Sequence, residues 1–184
     1  MRFYLATGNK NKLREFRGML GEVEPVSVDV EENGSTFEDN ALIKAREACR
    51  ITGNAAIADD SGLCVDALDG RPGVFSARYS EPGDRKAKIL HELEGETNRS
   101  AKFVAAIAVV FPDGTEFTVR GECHGIITEE PRGSNGFGYD PIFFMPEFGK
   151  TMAEITPELK NVSSHRYNAI QAMLKELQSR GVLE

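Results

Sequence analysis

Cysteine is scarce in this chain, and what there is does not pair. Cys49, Cys64 and Cys123 are odd in number, far apart and without a C-x-x-C spacing. That excludes a disulfide framework and points to reduced, buried thiols in a cytoplasmic protein. No apolar run approaches the ~20 residues that span a bilayer. The opening stretch MRFYLATGNKNK turns polar after Thr7, without the apolar centre of a signal peptide. No membrane partner is therefore expected. Positive charge is in deficit: 22 Lys and Arg against 29 Asp and Glu give a formal net charge of -7. Non-specific duplex binding needs a basic surface, so no nucleic-acid partner is expected, while a local basic pocket for a phosphorylated small molecule stays open.

Repeats, low-complexity tracts and Gly-, Ser- or Pro-rich linkers are missing too. The 184 residues read as one domain, 1–184, with room for two lobes. Several catalytic signatures fail. FGKT at Phe148–Thr151 ends like a P-loop, but Phe144 stands where the first Gly is required. HELEG from His91 lacks the second His of a zinc protease, and there is no G-x-S-x-G elbow. Ser61, Ser163 and Ser164 have acids and His165 for company, but no local signature of a hydrolase triad.

What is present fits a globular protein with a real core, at 40% hydrophobic and 28% charged residues. Arg2–Thr7 reads as a strand and Lys10–Leu20 as a helix with Leu13, Phe16, Met19 and Leu20 on one face. Val23–Val28 alternates like a second strand. Thr36 is placed to cap a helix, with Asp39 three residues on; the helix runs to Ile51 and Gly53 ends it. Ala55–Ala58 is a short apolar strand. A helix over Gly83–Leu93 follows, then two strands, Lys102–Phe111 and Glu116–Thr128, around the hairpin signal PDGT. The loop EEPRGSNGFGYDP leads to Ile142–Phe144, and a last helix covers Ser164–Ser179. The order β-α-β-α-β, hairpin, helix predicts an α/β fold with a mixed sheet, whose strand-end loops are natural ligand sites.

Four segments carry chemistry. In TGNKNK, Thr7–Lys12, a strand passes through a Gly turn into a helix whose N-terminal N–H groups favour anions. Lys12 in the first turn opposes the helix dipole, which makes sense facing a phosphate; a polar turn with a surface lysine is the plainer alternative. ADDSG sets Asp59 beside Asp60 at a strand end. Mg²⁺ takes one or two carboxylates plus water and substrate phosphates, so such a pair with one acid from a nearby loop suits it. Asp-Ser-Gly is equally turn-prone. In SNGFGYDP, Phe137 and Tyr139 offer a flat face for a base and Asp140 an acceptor. In KNVSSHR, Lys160, His165 and Arg166 gather donors at the start of the last helix, again the wrong end for cations, and Arg presents a fork suited to a carbonyl or phosphate.

The stretches ATGNKNKLREF, TFEDNALIKAREA, IADDSGLCVDALDGRPGVFSARYS, GFGYDPIFF and SSHRYNAI resemble, in this order, the inosine triphosphate pyrophosphatase family, across nearly the whole chain. The resemblance implies a two-lobed α/β fold with a long central mixed sheet flanked by helices, a substrate cleft between the lobes, and a homodimer. It implies Mg²⁺-dependent hydrolysis of non-standard purine nucleoside triphosphates (ITP, dITP, XTP) to the monophosphate and pyrophosphate. By position, Thr7, Gly8, Asn9, Lys10, Asn11 and Lys12 would hold the triphosphate. Glu32 and Asp60 would bind the metal, with Asp60 also the base; a one-residue shift in the loop would put Glu31 in place of Glu32. Ser61 would touch substrate, Phe137, Gly138, Tyr139 and Asp140 would hold base and sugar, and Lys160, His165 and Arg166 would complete the base pocket. Asp59 would be a supporting acid. A pyrophosphatase for pyrimidine or modified nucleotides and a non-catalytic nucleotide sensor are the other readings. A sensor would need the phosphate donors but not a metal base.

Overall fold

The computed structural model describes residues 1–81 and 83–184. Its elements in chain order are β1 (Phe3–Ala6), α1 (Lys10–Leu20), β2 (Val23–Val26), α2 (Phe37–Thr52), β3 (Ala55–Val65), α3 (Arg85–Glu92), β4 (Ser100–Val110), β5 (Glu116–Ile127), β6 (Phe143–Met145), β7 (Lys150–Thr151), α4 (Pro157–Asn161) and α5 (His165–Ser179). The strands form a seven-stranded sheet in the order β2-β1-β3-β4-β5-β6-β7. β1 is parallel to β2 and β3, whereas β6 is antiparallel to β5 and β7. The α/β mixed sheet expected from the sequence is the architecture observed.

The chain divides into two compact units. The first comprises Met1–Asp60, Ala105–Gly121 and Arg166–Glu184; the second comprises Ser61–Val104 and Glu122–His165. Within the first, strand alternation sorts side chains onto two faces. Leu5, Ala55 and Ile57 pack in one core with Phe16 of α1 and Ile170 of α5. Ala6, Ala56 and Ala58 pack in another with Ala41, Ala45 and Ala48 of α2. The second unit has its own core, which includes Leu63 and Val65 of β3, Ile89 of α3, Phe103 of β4 and Phe143 of β6.

The caps of α2 follow the expected chemistry. Thr36 is extended and its hydroxyl accepts from the Asp39 N–H at 3.0 Å. Gly53 takes a left-handed conformation at φ 64°, and its N–H donates to the Cys49 carbonyl at 2.8 Å. Two local expectations are corrected. Asp-Ser-Gly does not turn: β3 continues to Val65, because Leu63 and Val65 are fully buried and the Leu63 N–H finds the Ser76 hydroxyl at 2.9 Å. Burial and strand pairing outweigh the turn preference of those three residues. Lys160 does not stand at the N-terminal end of the last helix either. Thr156 caps a separate short helix, α4, and Lys160 lies in its last turn, the favourable end for a cation. All three cysteines are free; Cys49 and Cys123 are buried and Cys64 is half-buried. Burial pushes the Cys123 thiol up to about 11. Among the described residues no helix is long and apolar enough to cross a membrane.

Replacing Thr36 with alanine removes the α2 cap and is expected to lower the unfolding free energy by about 1 kcal/mol. Phe16→Ala, at a fully buried position, is expected to cost about 3–5 kcal/mol. Urea denaturation of both variants checks the order.

Candidate functional site

The strand that carries ADDSG settles how two adjacent acids coexist. Because successive strand residues point to opposite faces, Asp59 follows Ala55 and Ile57 toward α1 and α5, and Asp60 follows Ala56 and Ala58 toward α2. Asp59 is 1% exposed. Lys12 Nζ of α1 donates to its Oδ1 at 3.0 Å, and Arg166 Nε of α5 donates to its Oδ2 at 3.3 Å. Burial alone would raise its pKa; the charges of Lys12, Arg166 and Lys44 outweigh burial and hold the carboxyl well below the usual carboxylate range. Arg166 is itself buried and donates through Nη1 to Glu15 Oε2 at 3.2 Å.

Asp60 has a different environment. Its Oδ2 accepts from the Asn40 amide at 3.2 Å. Burial raises its pKa; Lys44 and the Asn40 hydrogen bond pull it down, and the negative charges of Glu32 and Asp59 add to the rise, leaving the carboxyl above its ordinary value. Lys44 ties the group together, donating to the Asp59 main-chain oxygen at 2.7 Å and pairing with Glu32 Oε1 at 2.8 Å. Glu32 rather than Glu31 thus shares a cation with the acid pair of β3; Glu31 is exposed.

The TGNKNK turn stands beside this cluster in the same unit. Asn9 caps α1, its Oδ1 accepting from the Asn11 and Lys12 N–H groups at 2.9 and 3.3 Å, and the Thr7 hydroxyl accepts from the Asn9 N–H at 3.0 Å. Asn9 therefore satisfies part of the helix end itself. Gly8, Asn9, Lys10 and Asn11 are exposed, while Thr7 and Lys12 are half-buried. Thr7, Gly8, Lys12 and Lys44 line a cavity of about 370 Å³ together with Ser27 and Val28.

Three cations (Lys12, Lys44, Arg166) thus face four carboxylates (Glu15, Glu32, Asp59, Asp60). A polyphosphate entering beside them adds negative charge to a group already short of positive charge. Among the described residues no set of three or more His, Cys, Asp or Glu side chains is arranged to hold a metal by itself. Two carboxylates, Glu32 and Asp60, fit Mg²⁺, which draws its remaining ligands from water and phosphate.

The other singled-out residues lie in the second unit. Phe137 is 62% exposed, whereas Tyr139 is buried and its hydroxyl donates to the Ser76 carbonyl at 2.7 Å, so only Phe137 presents an open ring. Asp140 is buried, and its Oδ2 accepts from Lys160 Nζ at 2.7 Å and from the Phe137 N–H at 3.1 Å. Gly136 makes room for this carboxylate, since a Cβ there would fall 2.1 Å from Oδ2. Lys160 Nζ sits 4.7 Å from the Phe137 ring centroid. His165 is buried and stacks on Phe103 with centroids 4.9 Å apart. Ser61 is half-buried on β3, and Gly138 has φ +60°.

Asn40, Lys44 and Glu15 were not singled out by sequence reasoning. A signal existed for two of them. Asn40 and Lys44 are four residues apart on α2 and share a helix face.

Residues 3–176 match the Ham1 family. The chain belongs to that family. This bears out the resemblance drawn from the motifs. It is 49% identical over 181 residues to a Nostoc protein named dITP/XTP pyrophosphatase, covering 94% of this chain and 92% of the relative. A Geobacter sulfurreducens protein of the same name is 50% identical, with 95% of each covered. The structure of the Staphylococcus aureus Ham1 protein superposes with a TM-score of 0.91 at 38% identity, covering 98% of this chain and all of that one.

The two acids should respond oppositely to isosteric replacement. Asp59→Asn leaves Lys12 and Arg166 without their shared counter-charge, and is expected to cost roughly 3 kcal/mol of stability. The Asp60 carboxyl is held above its ordinary pKa, so its ionised form is disfavoured by the fold at neutral pH. Asp60→Asn is therefore expected to leave stability equal or higher. Urea unfolding of both variants at pH 7 decides.

Proposed function

We propose that this chain is a pyrophosphatase of ITP, dITP and XTP, releasing the monophosphate and pyrophosphate and so clearing deaminated purines from the nucleotide pool. The observation that carries the reading is the near-full-length identity with proteins named dITP/XTP pyrophosphatase. Thr7 to Lys12, with Lys44, are assigned to the phosphates, and Glu32 and Asp60 to Mg²⁺. Bound there, the cation supplies charge neutralisation on the phosphate oxygens.

Each of the chain's own groups has a defined task. Asp60 takes the proton of the attacking water as its oxygen bonds to the α-phosphorus. The bond from that phosphorus to the bridging oxygen breaks, and pyrophosphate leaves with the electron pair. The role needs an ionised carboxylate beside the attacking water, a form the bound cation would favour. Lys12 stabilises the charge that builds on the phosphate oxygens. Asp59 keeps Lys12 directed without competing for the cation, because both its oxygens are engaged.

The base is assigned to Phe137, with its ring free for stacking, and to the donors Lys160 and His165. Hypoxanthine and xanthine carry a 6-oxo acceptor where adenine carries an amino donor. Donors facing that position satisfy the first two and leave adenine's amino group unmatched, a mismatch that discriminates strongly. Guanine shares the 6-oxo group, so its rejection falls on the 2-position. For Arg166 the assignment carries a condition: to touch a base it must share or give up Asp59 and Glu15. The proposal includes a homodimer, as the family resemblance implies, and a cytoplasmic location, which the three free thiols support.

A pyrophosphate-release assay over ITP, dITP, XTP, GTP, ATP, dTTP and UTP, with and without Mg²⁺, tests the reading. ITP, dITP and XTP should lead, and only with Mg²⁺ present. Asp60→Asn should lower kcat by roughly a hundred- to ten-thousandfold. Turnover of ITP no faster than ATP would overturn the substrate assignment.

A further inference from the structure

Asn40 is 2% exposed, a polar side chain buried in the first unit with both ends of its amide in use. Its Oδ1 accepts from the Gly34 N–H at 2.8 Å, and its Nδ2 donates to Asp60 Oδ2 at 3.2 Å. The orientation of the amide is fixed by chemistry. A backbone N–H can only donate, so the carbonyl end must face Gly34 and the NH₂ end must face Asp60. Asn40 itself stands on a rigid frame, since its own N–H donates to the Thr36 carbonyl at 3.2 Å in the first turn of α2.

Gly34 belongs to the loop that carries Glu32, and it is closely fitted to Asn40. A Cβ at Gly34 would fall 2.8 Å from Asn40 Oδ1 and 2.5 Å from Asp39 Cβ. One side chain therefore contacts both sources of carboxylate: the acidic loop at one end and Asp60 in the middle of β3 at the other. The bond from its Nδ2 engages one carboxylate oxygen of Asp60, Oδ2.

We propose that Asn40 is a positioning residue for the divalent cation, setting Glu32 and Asp60 in register before any ligand arrives. It rests on the assignment of Glu32 and Asp60 to that cation. Partners that orient metal ligands typically contribute ten- to a hundredfold to affinity.

The test is Mn²⁺ binding to the full chain without nucleotide, by calorimetry or by the loss of free Mn²⁺ signal in paramagnetic resonance. Asn40→Ala is expected to weaken Mn²⁺ binding about tenfold or more, and to raise the Mg²⁺ concentration for half-maximal turnover while KM for ITP at saturating Mg²⁺ moves less than about twofold. Thr36→Ala, at the same end of the same helix, controls for mere destabilisation: it should lower the unfolding midpoint but leave the Mn²⁺ Kd within about twofold of wild type. Should Asn40→Ala not fold, Gly34→Ala probes the same contact from the loop side and should weaken Mn²⁺ comparably. A Mn²⁺ Kd within about twofold of wild type for Asn40→Ala, or for Gly34→Ala in its place, overturns the positioning role while leaving the cation site standing. Uptake of Mn²⁺ by Asp60→Asn as tight as by wild type, or none by wild type, removes the cation site and the positioning role together.

Discussion

The buried carboxylate of Asp59 is the interaction on which the first unit's site depends. It joins three segments distant in sequence: Lys12 lies 47 residues away and Arg166 lies 107 residues away. Each of its oxygens meets a different cation, and its main-chain carbonyl meets a third, Lys44. A charge buried this deeply is tolerable only when compensated, and removing a partner leaves the others uncompensated. The first turns of α1 and α5 are thereby tied to one point on β3, with the phosphate-binding candidate Lys12 held at that point.

Strand geometry then makes the neighbouring acid different. Asp60 points to the other face, where α2 offers Asn40, an uncharged donor, and Lys44, a cation already shared with Glu32. Two identical side chains in adjacent positions so acquire opposite electrostatic characters: Asp59 is held ionised below the usual range, and Asp60 is held above it. Pairs of acids whose environments push their pKa values apart are how proteins separate a structural acid from a chemical one. No residue substitution is needed for this, only a strand that runs through both positions with different elements on its two faces.

Much of this was legible in the sequence, and the gaps have physical causes. The helix over Lys10–Leu20 and the Thr36 and Gly53 caps of α2 are local features, carried by periodicity and short-range hydrogen bonding, and they stand where expected. The continuation of β3 was not local. Asp-Ser-Gly prefers a turn by itself, and only the burial of Leu63 and Val65 with the Ser76 contact keeps it extended. Reading the strand as ending at Ala58 hid the alternation that separates Asp59 from Asp60. Asn40 and Lys44 escaped notice because their partners lie 15 to 20 residues away on β3. A polar residue on a helix face looks solvent-exposed until the strand facing it is known.

The second unit uses a buried acid differently. Asp140 fixes a cation, Lys160, and the backbone of an exposed aromatic, Phe137, through the same oxygen. In the first unit the acid Asp59 spends its charge on cations that are mostly buried. In the second the compensated pair lies beside an open ring, so the cation keeps donor capacity toward whatever stacks there. Lys160 is an ammonium with three donors, and one bond to Asp140 does not exhaust them. Gly136 is required because the carboxylate occupies the space that a side chain would fill. The loop therefore presents a preset aromatic face and a preset donor. Ordering such groups before binding lowers the entropy that a ligand must overcome, so under the proposed assignment of the base to Phe137 and Lys160, Asp140 would contribute to affinity even where it touches none of the ring.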